Sequence, residues 1–436
     1  MKNPSKLSEV LMMFVLLFLA FGSLVTAQSK ASAQPKLQWQ RCLGGGDEDQ
    51  ASCIEQTKDG GYIVVGRTYS NDGDVSGNHG IDDLWIVKID KNGKIQWQRC
   101  VGGTGTDEAW SVKQTADGGY VVAGYAFGES KDGNVEYDLL LVKLDETGKI
   151  QWQRSYGGSG YDYATSVQQT RDGGYIVAGS TNSNDRDVSG NHGLFDYWVL
   201  KLDSDGNIQW QSCFGGSSPD YAQSVQQTVD GGYIVVGYTS SNDGDVREKH
   251  RFDDAWIVKL DENGKIQWQK CLGGNGDDAG FAVLQTKDRG YIIVGHTYSD
   301  EGDVSFYHED GDGWVVKLDE NGKIQWHRCL GGKFDDGARS VQQTSDGGYI
   351  VAGYTYSDDG DVSGNRGDRD AWLVKLDSNG NIEWQKCLGG SSEDDAYSVL
   401  QSSDGGYIVA GYTFSNDKDV KGDHGNYDIW IVKLGY

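Results

Sequence analysis

The sequence predicts an all-β protein, a seven-bladed β-propeller of four-stranded antiparallel blades whose N-terminal strand completes the last blade. Three observations carry this. The segment GKIQWQRC or a close variant recurs with its tryptophan at positions 39, 97, 152, 210, 268, 326 and 384, and a second marker, WIVKLD or a variant, starts at Trp85, Leu140, Trp198, Trp256, Trp314, Trp372 and Trp430. Every step but one is 58 residues, so seven units fill Leu37 to Tyr436 and leave almost no chain for anything else. Within a unit, Tyr, Val, Ile and Thr dominate four short runs punctuated by Asp-Gly or Asn-Gly, and no stretch sustains a 3.6-residue period for three turns. Radial repetition suits such units because it hides the edges that an open sheet exposes. A linear β-solenoid is the alternative; it would need polar caps, whereas the first and last units here look like the middle ones.

Residues 1–27 carry two lysines, an apolar run from Val10 to Phe21, and Val25 and Ala27 at the positions before a cut, the pattern of a secretory signal peptide. A signal anchor is the alternative, but the run is short for a bilayer. Ala31 and Ala33 offer a second cut before Gln34. Residues 28–36 form a short leader, and residues 37–436 a single propeller domain. No further apolar run follows, so no membrane span is expected after signal removal. The mature chain is expected to be secreted, extracellular or attached to the cell surface, with the periplasm as an alternative, and to be a monomer.

In the second unit the strands read IQWQRCV, AWSVKQT, YVVAGYA and LLLVKLD. GGTGTDE links the first to the second, ADGG turns the second into the third, and a longer polar loop precedes the fourth. The tight ETG or ENG turn makes WIVKLD and the following IQWQRC neighbours, while GGxxxD is long enough to cross to the next blade. Each blade therefore reads SVQQT, YIVAGYT, WIVKLD, IQWQRC from the axis outward. Residues 37–43 then supply the outer strand of the blade formed by residues 396–434.

Composition narrows the function classes. Gly accounts for 64 residues and Pro for three, which excludes collagen; 37% hydrophobic and 11% aromatic residues exclude a disordered polyelectrolyte. A formal charge of -26 leaves no basic stripe for nucleic acid or anionic lipid. Six of the seven cysteines, Cys42, Cys100, Cys213, Cys271, Cys329 and Cys387, hold one repeat position, too far apart in a ring for disulfides, and read as small buried hydrophobes. Cys53 is the seventh, able to pair with Cys42 or Cys100 only if the strands converge.

Thirteen of the 14 tryptophans occupy fixed blade positions and read as packing between blades. Trp110 is the exception. Its column holds Ser52, Thr165, Gln223, Phe281, Arg339 and Tyr397 in the other units, a variable position expected at the central channel or its rim. The Asp49 column and the Asp83 column recur in all seven units and read as scaffold acids that accept backbone N–H groups in turns.

The loop between the YIVAGYT and WIVKLD strands is richest in chemistry. Copy one, DGDVSGNHGIDD, resembles the oxygen spacing of a calcium-binding EF-hand loop through Asp72, Asp74, Ser76 and Asp83. Copy three repeats it as Asp185, Asp187, Ser189 and Asp196, and copy six as Asp359, Asp361, Ser363 and Asp370. Arg247, Lys421 and Phe306 interrupt three others, no helices flank the loops, and position 12 is Asp. No cofactor is certain from sequence; Ca2+ is the candidate, with Asx-turned acidic surface loops as the alternative. Five histidines, His79, His192, His250, His308 and His424, sit one per blade in this loop, which gives zinc no cluster.

The pattern DxAxSVQQTxDGGYIVAGYT…DxWIVKLDxNGxIQWxxCLGG resembles the secreted bacterial β-propeller repeat proteins, Gly- and Asp-rich surface polypeptides, over essentially the whole mature chain. That resemblance implies the propeller and little biochemistry. The hairpin KLDETGKIQW at 143–152 also looks like the tryptophan-docking repeat of pyrroloquinoline-quinone dehydrogenases; the other copies depart from it and no vicinal cysteine pair is present, so it implies blade packing and no redox role.

The function expected is a non-catalytic binding, adhesion or scaffold module for an extracellular glycan or surface protein. The face holding Asp49, Asp72 and Asp83 would carry the site, with Trp110, Tyr163, Tyr221, Phe281 and Tyr397 as ligand-binding aromatics; loop packing is the plainer role for each. The alternative is a propeller-type carbohydrate-active enzyme, a hydrolase or lyase using loop-face carboxylates, although near-identical blades single out no acid pair.

Overall fold

A computed structural model of the chain describes residues 33–129 and 135–436. The expected signal peptide, residues 1–27, and most of the expected leader lie outside the described residues. The described residues form seven sheets of four antiparallel strands, ordered from inner to outer as the sequence predicts. In the first blade these are Asp49–Gln56, Tyr62–Thr68, Asp83–Ile89 and Ile95–Val101. Lys36–Leu43 pairs antiparallel with Asp428–Gly435, from Lys36 opposite Gly435 to Leu43 opposite Ile429, and so becomes the outer strand of the last blade. Among the described residues no helix is long and apolar enough to cross a membrane.

The core lies between blades. Val64, Val87 and Trp85 of the first blade pack with Ile408, Ala410 and Ile431 of the last, which is why the second and third strands are apolar on both faces. The two tryptophan columns divide the work. Trp85 and its third-strand equivalents are buried, and Trp85 donates from Nε1 to Gln98 Oε1 at 2.9 Å. Trp39 and most of its outer-strand equivalents are half-buried and meet a tyrosine edge-on, as Trp39 meets Tyr62 at 6.3 Å. The seven cysteines are all free, six of them buried as expected and Cys53 half-buried.

Both scaffold acids hold turns. Asp49 is fully buried and accepts from Gly45 N at 2.8 Å, from Ser70 Oγ at 2.9 Å and from Thr68 Oγ1. Asp83 is held by a side chain the sequence reading left without a role: His79 Nδ1 lies 2.6 Å from its Oδ2. The same contact joins His192 to Asp196, His250 to Asp254, His308 to Asp312 and His424 to Asp428.

Two further rings close the propeller on the face of the short turns. The Gln that ends each inner strand accepts a backbone N–H from the preceding blade, from Lys58 to Gln114 at 2.9 Å through to Ser403 and Gln56 at 2.9 Å, so that seven such bonds complete the circle. The Lys of WIVKLD is buried and paired with the Asp of its DGG turn in every blade; Lys88 Nζ stands 3.0 Å from Asp59. Burial works against the Asp59 carboxylate, but bonds from Thr57, Gly61 and Lys88 hold it down at about 2.

Candidate functional site

Each inner strand carries one extra residue. The register with the second strand slips between Ala51 and Cys53, and at the same place in the other six blades, so Ser52, Trp110, Thr165, Gln223, Phe281, Arg339 and Tyr397 are bulged residues. A bulge bends the strand and re-aims a side chain. Here all seven line one central channel of about 690 Å³. The bulge is made possible by the glycine facing it: a Cβ on Gly66 would lie 1.8 Å from the carbonyl oxygen of Gln50. The variable column is therefore the channel wall, and Trp110, Phe281 and Tyr397 stand in it together. Further down, the wall is built of Ser and Gln bonded from blade to blade, as Ser166 Oγ accepts Val225 N at 3.2 Å and Gln168 Oε1 accepts Gln227 N at 2.6 Å, and of the Lys113–Glu55 pair at 3.6 Å.

Tyr163 and Tyr221 stand elsewhere. Each precedes its bulge and pairs in register with the second strand, Tyr163 opposite Ser180 and Tyr221 opposite Tyr238. They join through Phe195, stacked on Tyr163 at 5.8 Å and 17° and lying 5.1 Å from Tyr221. The shorter loop of copy two is replaced by an extended ribbon, Tyr120–Glu129 against Val135–Leu144, which brings Tyr125 and Tyr137 to this aromatic belt at 5.6 and 6.5 Å from Tyr163.

Two charged clusters interrupt the belt, and column-by-column reading of the sequence missed both. In the first, Tyr125 donates to Glu108 Oε2 at 2.9 Å, and Arg67 stands 3.8 Å from the same atom. Burial pushes the Glu108 carboxyl up, with Arg67 and the Tyr125 bond opposing. In the second, Asp395 is buried and takes two guanidinium groups: Arg369 by a short contact and Arg339 at 3.3 Å. Arg339 lies over the rings of Tyr397 at 4.4 Å and Tyr354 at 5.0 Å, and Arg369 over Tyr354 at 4.1 Å while donating to the Tyr412 hydroxyl at 3.2 Å.

The calcium-like oxygens point to different partners. Asp72 Oδ1 accepts Gly46 N at 2.8 Å, Ser76 Oγ accepts Gln98 Nε2 at 2.5 Å, and Asp83 is buried against His79. Copy three repeats these bonds through Asp185, Ser189 and Asp196, and copy six through Asp359, Ser363 and Asp370, whose Oδ2 accepts Arg366 N. Among the described residues no three His, Cys, Asp or Glu side chains converge in a metal-binding group. Calcium in these loops requires the oxygens to leave those partners. It would then raise the melting temperature by mass action, and D74N with D187N and D361N would abolish the gain; calcium-dependent melts measure it.

Exposure is concentrated on the same face. Twelve large apolar side chains are exposed among the described residues. Nine of them, Ile81, Tyr161, Leu194, Phe252, Tyr298, Phe306, Phe334, Tyr356 and Phe414, lie in the crossings and long loops. Leu37, Val229 and Tyr436 lie at the opposite end.

No family model matches the chain. The regulatory protein FlaEY of Caulobacter vibrioides is 25% identical over 199 residues, 40% of this chain and 20% of that protein, so the match spans about a fifth of the curated relative's length. Similar solved structures include the Pan2 WD40 domain of Neurospora crassa, with a TM-score of 0.49 at 11% identity over 90% of this chain and 95% of that one. A puromycin hydrolase gives 0.47 at 11% over 85% and 51%, and a Bacteroides caccae protein of unknown function gives 0.40 at 14% over 73% and 96%. These likenesses are weak and select no repeat family. A seven-bladed propeller is compatible with protein-binding and with enzymatic roles.

Proposed function

We propose that the protein is a secreted or cell-surface propeller that binds an extracellular glycan or surface protein through its loop-rich face, without chemistry of its own. One observation carries this reading: nine of the twelve large apolar side chains exposed among the described residues lie in the crossings and long loops of that face, and the channel it surrounds is lined by the column in which the otherwise repeated blades differ most. Exposed apolar groups gathered within an acidic surface mark interaction sites. Trp110, Phe281 and Tyr397 line the channel, while Tyr163 and Tyr221 belong to the separate aromatic belt joined through Phe195.

An array of extracellular glycans and surface proteins tests it, with wild type beside W110A and Y397A. Wild type is expected to bind immobilised ligand more strongly than free monovalent ligand, since linked weak contacts raise avidity. Each variant is expected to lose about tenfold, the worth of one aromatic contact of about 1.4 kcal/mol. No reproducible ligand would leave a purely structural ring.

The enzymatic alternative has a specific observation of its own. Glu108 and Asp82 are neighbouring carboxyls beside Arg67, and burial pushes both up. Their burial, at 6% and 0% exposure, keeps both off a substrate in this conformation. Turnover of any arrayed glycan, lost in E108Q, would move this alternative ahead.

A further inference from the structure

We infer that the channel mouth takes a hexuronate unit of an acidic glycan, with the Arg339 guanidinium anchoring the sugar carboxylate. This rests on the reading of the loop-rich face as a glycan-binding surface and names the class of glycan.

The inference starts from an imbalance. Among the seven bulged residues lining the channel, Arg339 is the only cation; the other six are Ser52, Trp110, Thr165, Gln223, Phe281 and Tyr397. Its acidic partner, Asp395, is shared with Arg369, so two guanidinium groups divide one carboxylate between them. The next acid, Asp335, accepts the hydroxyls of Tyr298 at 2.8 Å and Tyr354 at 3.1 Å. A guanidinium has five N–H donors. Arg339 spends them on the single 3.3 Å ion pair, its Nε is buried without a hydrogen-bond partner, and its side chain remains 24% exposed in the channel wall.

A carboxylate matches what is left over. It is planar and accepts two parallel charge-assisted N–H bonds from a guanidinium, which uses the donors that Asp395 leaves free. In a chain of net charge -26 the partly exposed Arg339 guanidinium offers an anion a donor edge in the channel wall and so fixes its orientation there. The sugar follows from the surroundings. Tyr397 flanks the guanidinium and Trp110 lines the same channel, so flat aromatic planes on which a pyranose ring can lie accompany the carboxylate anchor.

The test uses oligosaccharides of mannuronate, guluronate, galacturonate and glucuronate, each beside the neutral oligosaccharide that differs only at C6, in calorimetric titrations of the mature chain. At least one acidic member is expected to bind about tenfold or more tightly than its neutral counterpart, the worth of a charge-assisted pair. That preference is expected to fall as salt rises, a measurement that needs no variant. R339Q is expected to abolish it, R339K to keep part of it, and R67Q, on the other charged cluster, to leave it intact. Equal binding of acidic and neutral sugars would overturn the uronate anchor and leave the glycan reading standing. Failure of all four acids overturns the inference, and binding of a neutral arrayed glycan beside that failure would still support the broader function. A polyglutamate peptide held as tightly as the best uronate, with the same loss in R339Q, would replace the sugar by an acidic protein.

Discussion

A chain begun at residue 28 and lacking residues 36–43 is expected to melt far below the same chain with them, because those residues are a strand of the last blade and the lock of the ring. Their loss uncovers the edge of Asp428–Gly435, which pairs with them from Gly435 to Ile429. Leu43, only 3% exposed, packs in the cluster that joins the first and last blades, and Trp430 loses the Gln40 acceptor of its indole N–H at 3.0 Å. Burial of one Leu is worth about 2 kcal/mol and each net hydrogen bond about 1 kcal/mol. The sum is on the order of 5 kcal/mol or more, comparable with the whole stability of many domains. Removing residues 28–33 instead is expected to leave the melting temperature unchanged, since the strand begins at Lys36. Equal melting temperatures for the two deletions would show that the ring does not depend on this closure.

Blade number, strand order and the closing strand were legible because each rests on a feature repeated seven times, and repetition averages away local ambiguity. The roles of Asp49 and of the buried cysteines were legible for the same reason. The histidines, the Gln ring and the Lys–Asp pairs repeat nearly as well, yet their partners lie four residues on, in the preceding blade and in a facing turn of the same blade respectively, and a column of identical residues does not name its partner. The bulge had a signal in the glycine of YIVAGYT that faces it, but two-residue alternation alone passes through a bulge without registering it. This is why Tyr163 and Tyr221, two residues ahead of the bulged Thr165 and Gln223, share a face with the Trp110 column by alternation, although of these aromatics only Trp110, Phe281 and Tyr397 line the channel. The Arg339, Arg369 and Asp395 cluster was least legible. Its members come from three different repeat positions and from two blades, so each looks like an isolated departure until the fold brings them together.

Lowering the pH from about 8 to about 5 is expected to raise the melting temperature, and replacing Asp370 by Asn is expected to do so at pH 8. At each blade junction two carboxyls flank the first glycine of the crossing. A Cβ on Gly389 would stand 2.6 Å from both Asp370 Oδ1 and Asp394 Oδ2. Burial, then the charge of Asp394, pushes Asp370 up to about 7. Burial pushes Asp394 up to about 6 against bonds from Thr413, Gly390 and Ser415, and Asp49, Asp196, Asp278 and Asp428 likewise rise to about 6. Between the ordinary carboxylate value of 3.8 and these raised values the folded chain binds more protons than the unfolded chain, so stability falls as pH rises through that window. His192 and His424 act in the same sense: burial opposes their charge, but bonds to Asp196 and Asp428 raise both, and the stability this gives is lost as pH rises through the raised values. The turn acids act oppositely. Asp59, Asp117, Asp172 and Asp404, held at about 2, give stability that is lost as pH falls from 3.8 through that value. His296, which burial pushes down to about 4, and His327, also lowered by burial, act oppositely as well and lose stability as pH falls below 6.5, but the raised carboxyls outnumber them, so the optimum lies on the acid side of neutrality.

Asp370 separates this account from simple relief of surface charge. Its Oδ1 has no partner and its Oδ2 accepts Arg366 N at 3.1 Å, a bond an amide oxygen can take while the new N–H faces Asp394. D370N is expected to gain on the order of 2 kcal/mol at pH 8, with the gain fading near pH 4 as wild type protonates. D394N is expected to lose stability at every pH. Its carboxylate accepts Gly390 N at 2.7 Å, Ser415 Oγ at 2.9 Å and Thr413 Oγ1, and an amide would turn a donor toward donors. Thermal melts of the three proteins between about pH 4 and pH 8 make the comparison. A wild-type melting temperature that climbs from pH 5 to pH 8, or a D370N protein no more stable than wild type at pH 8, would mean that the paired acids carry no strain of charge and that the junctions accommodate both carboxylates ionised.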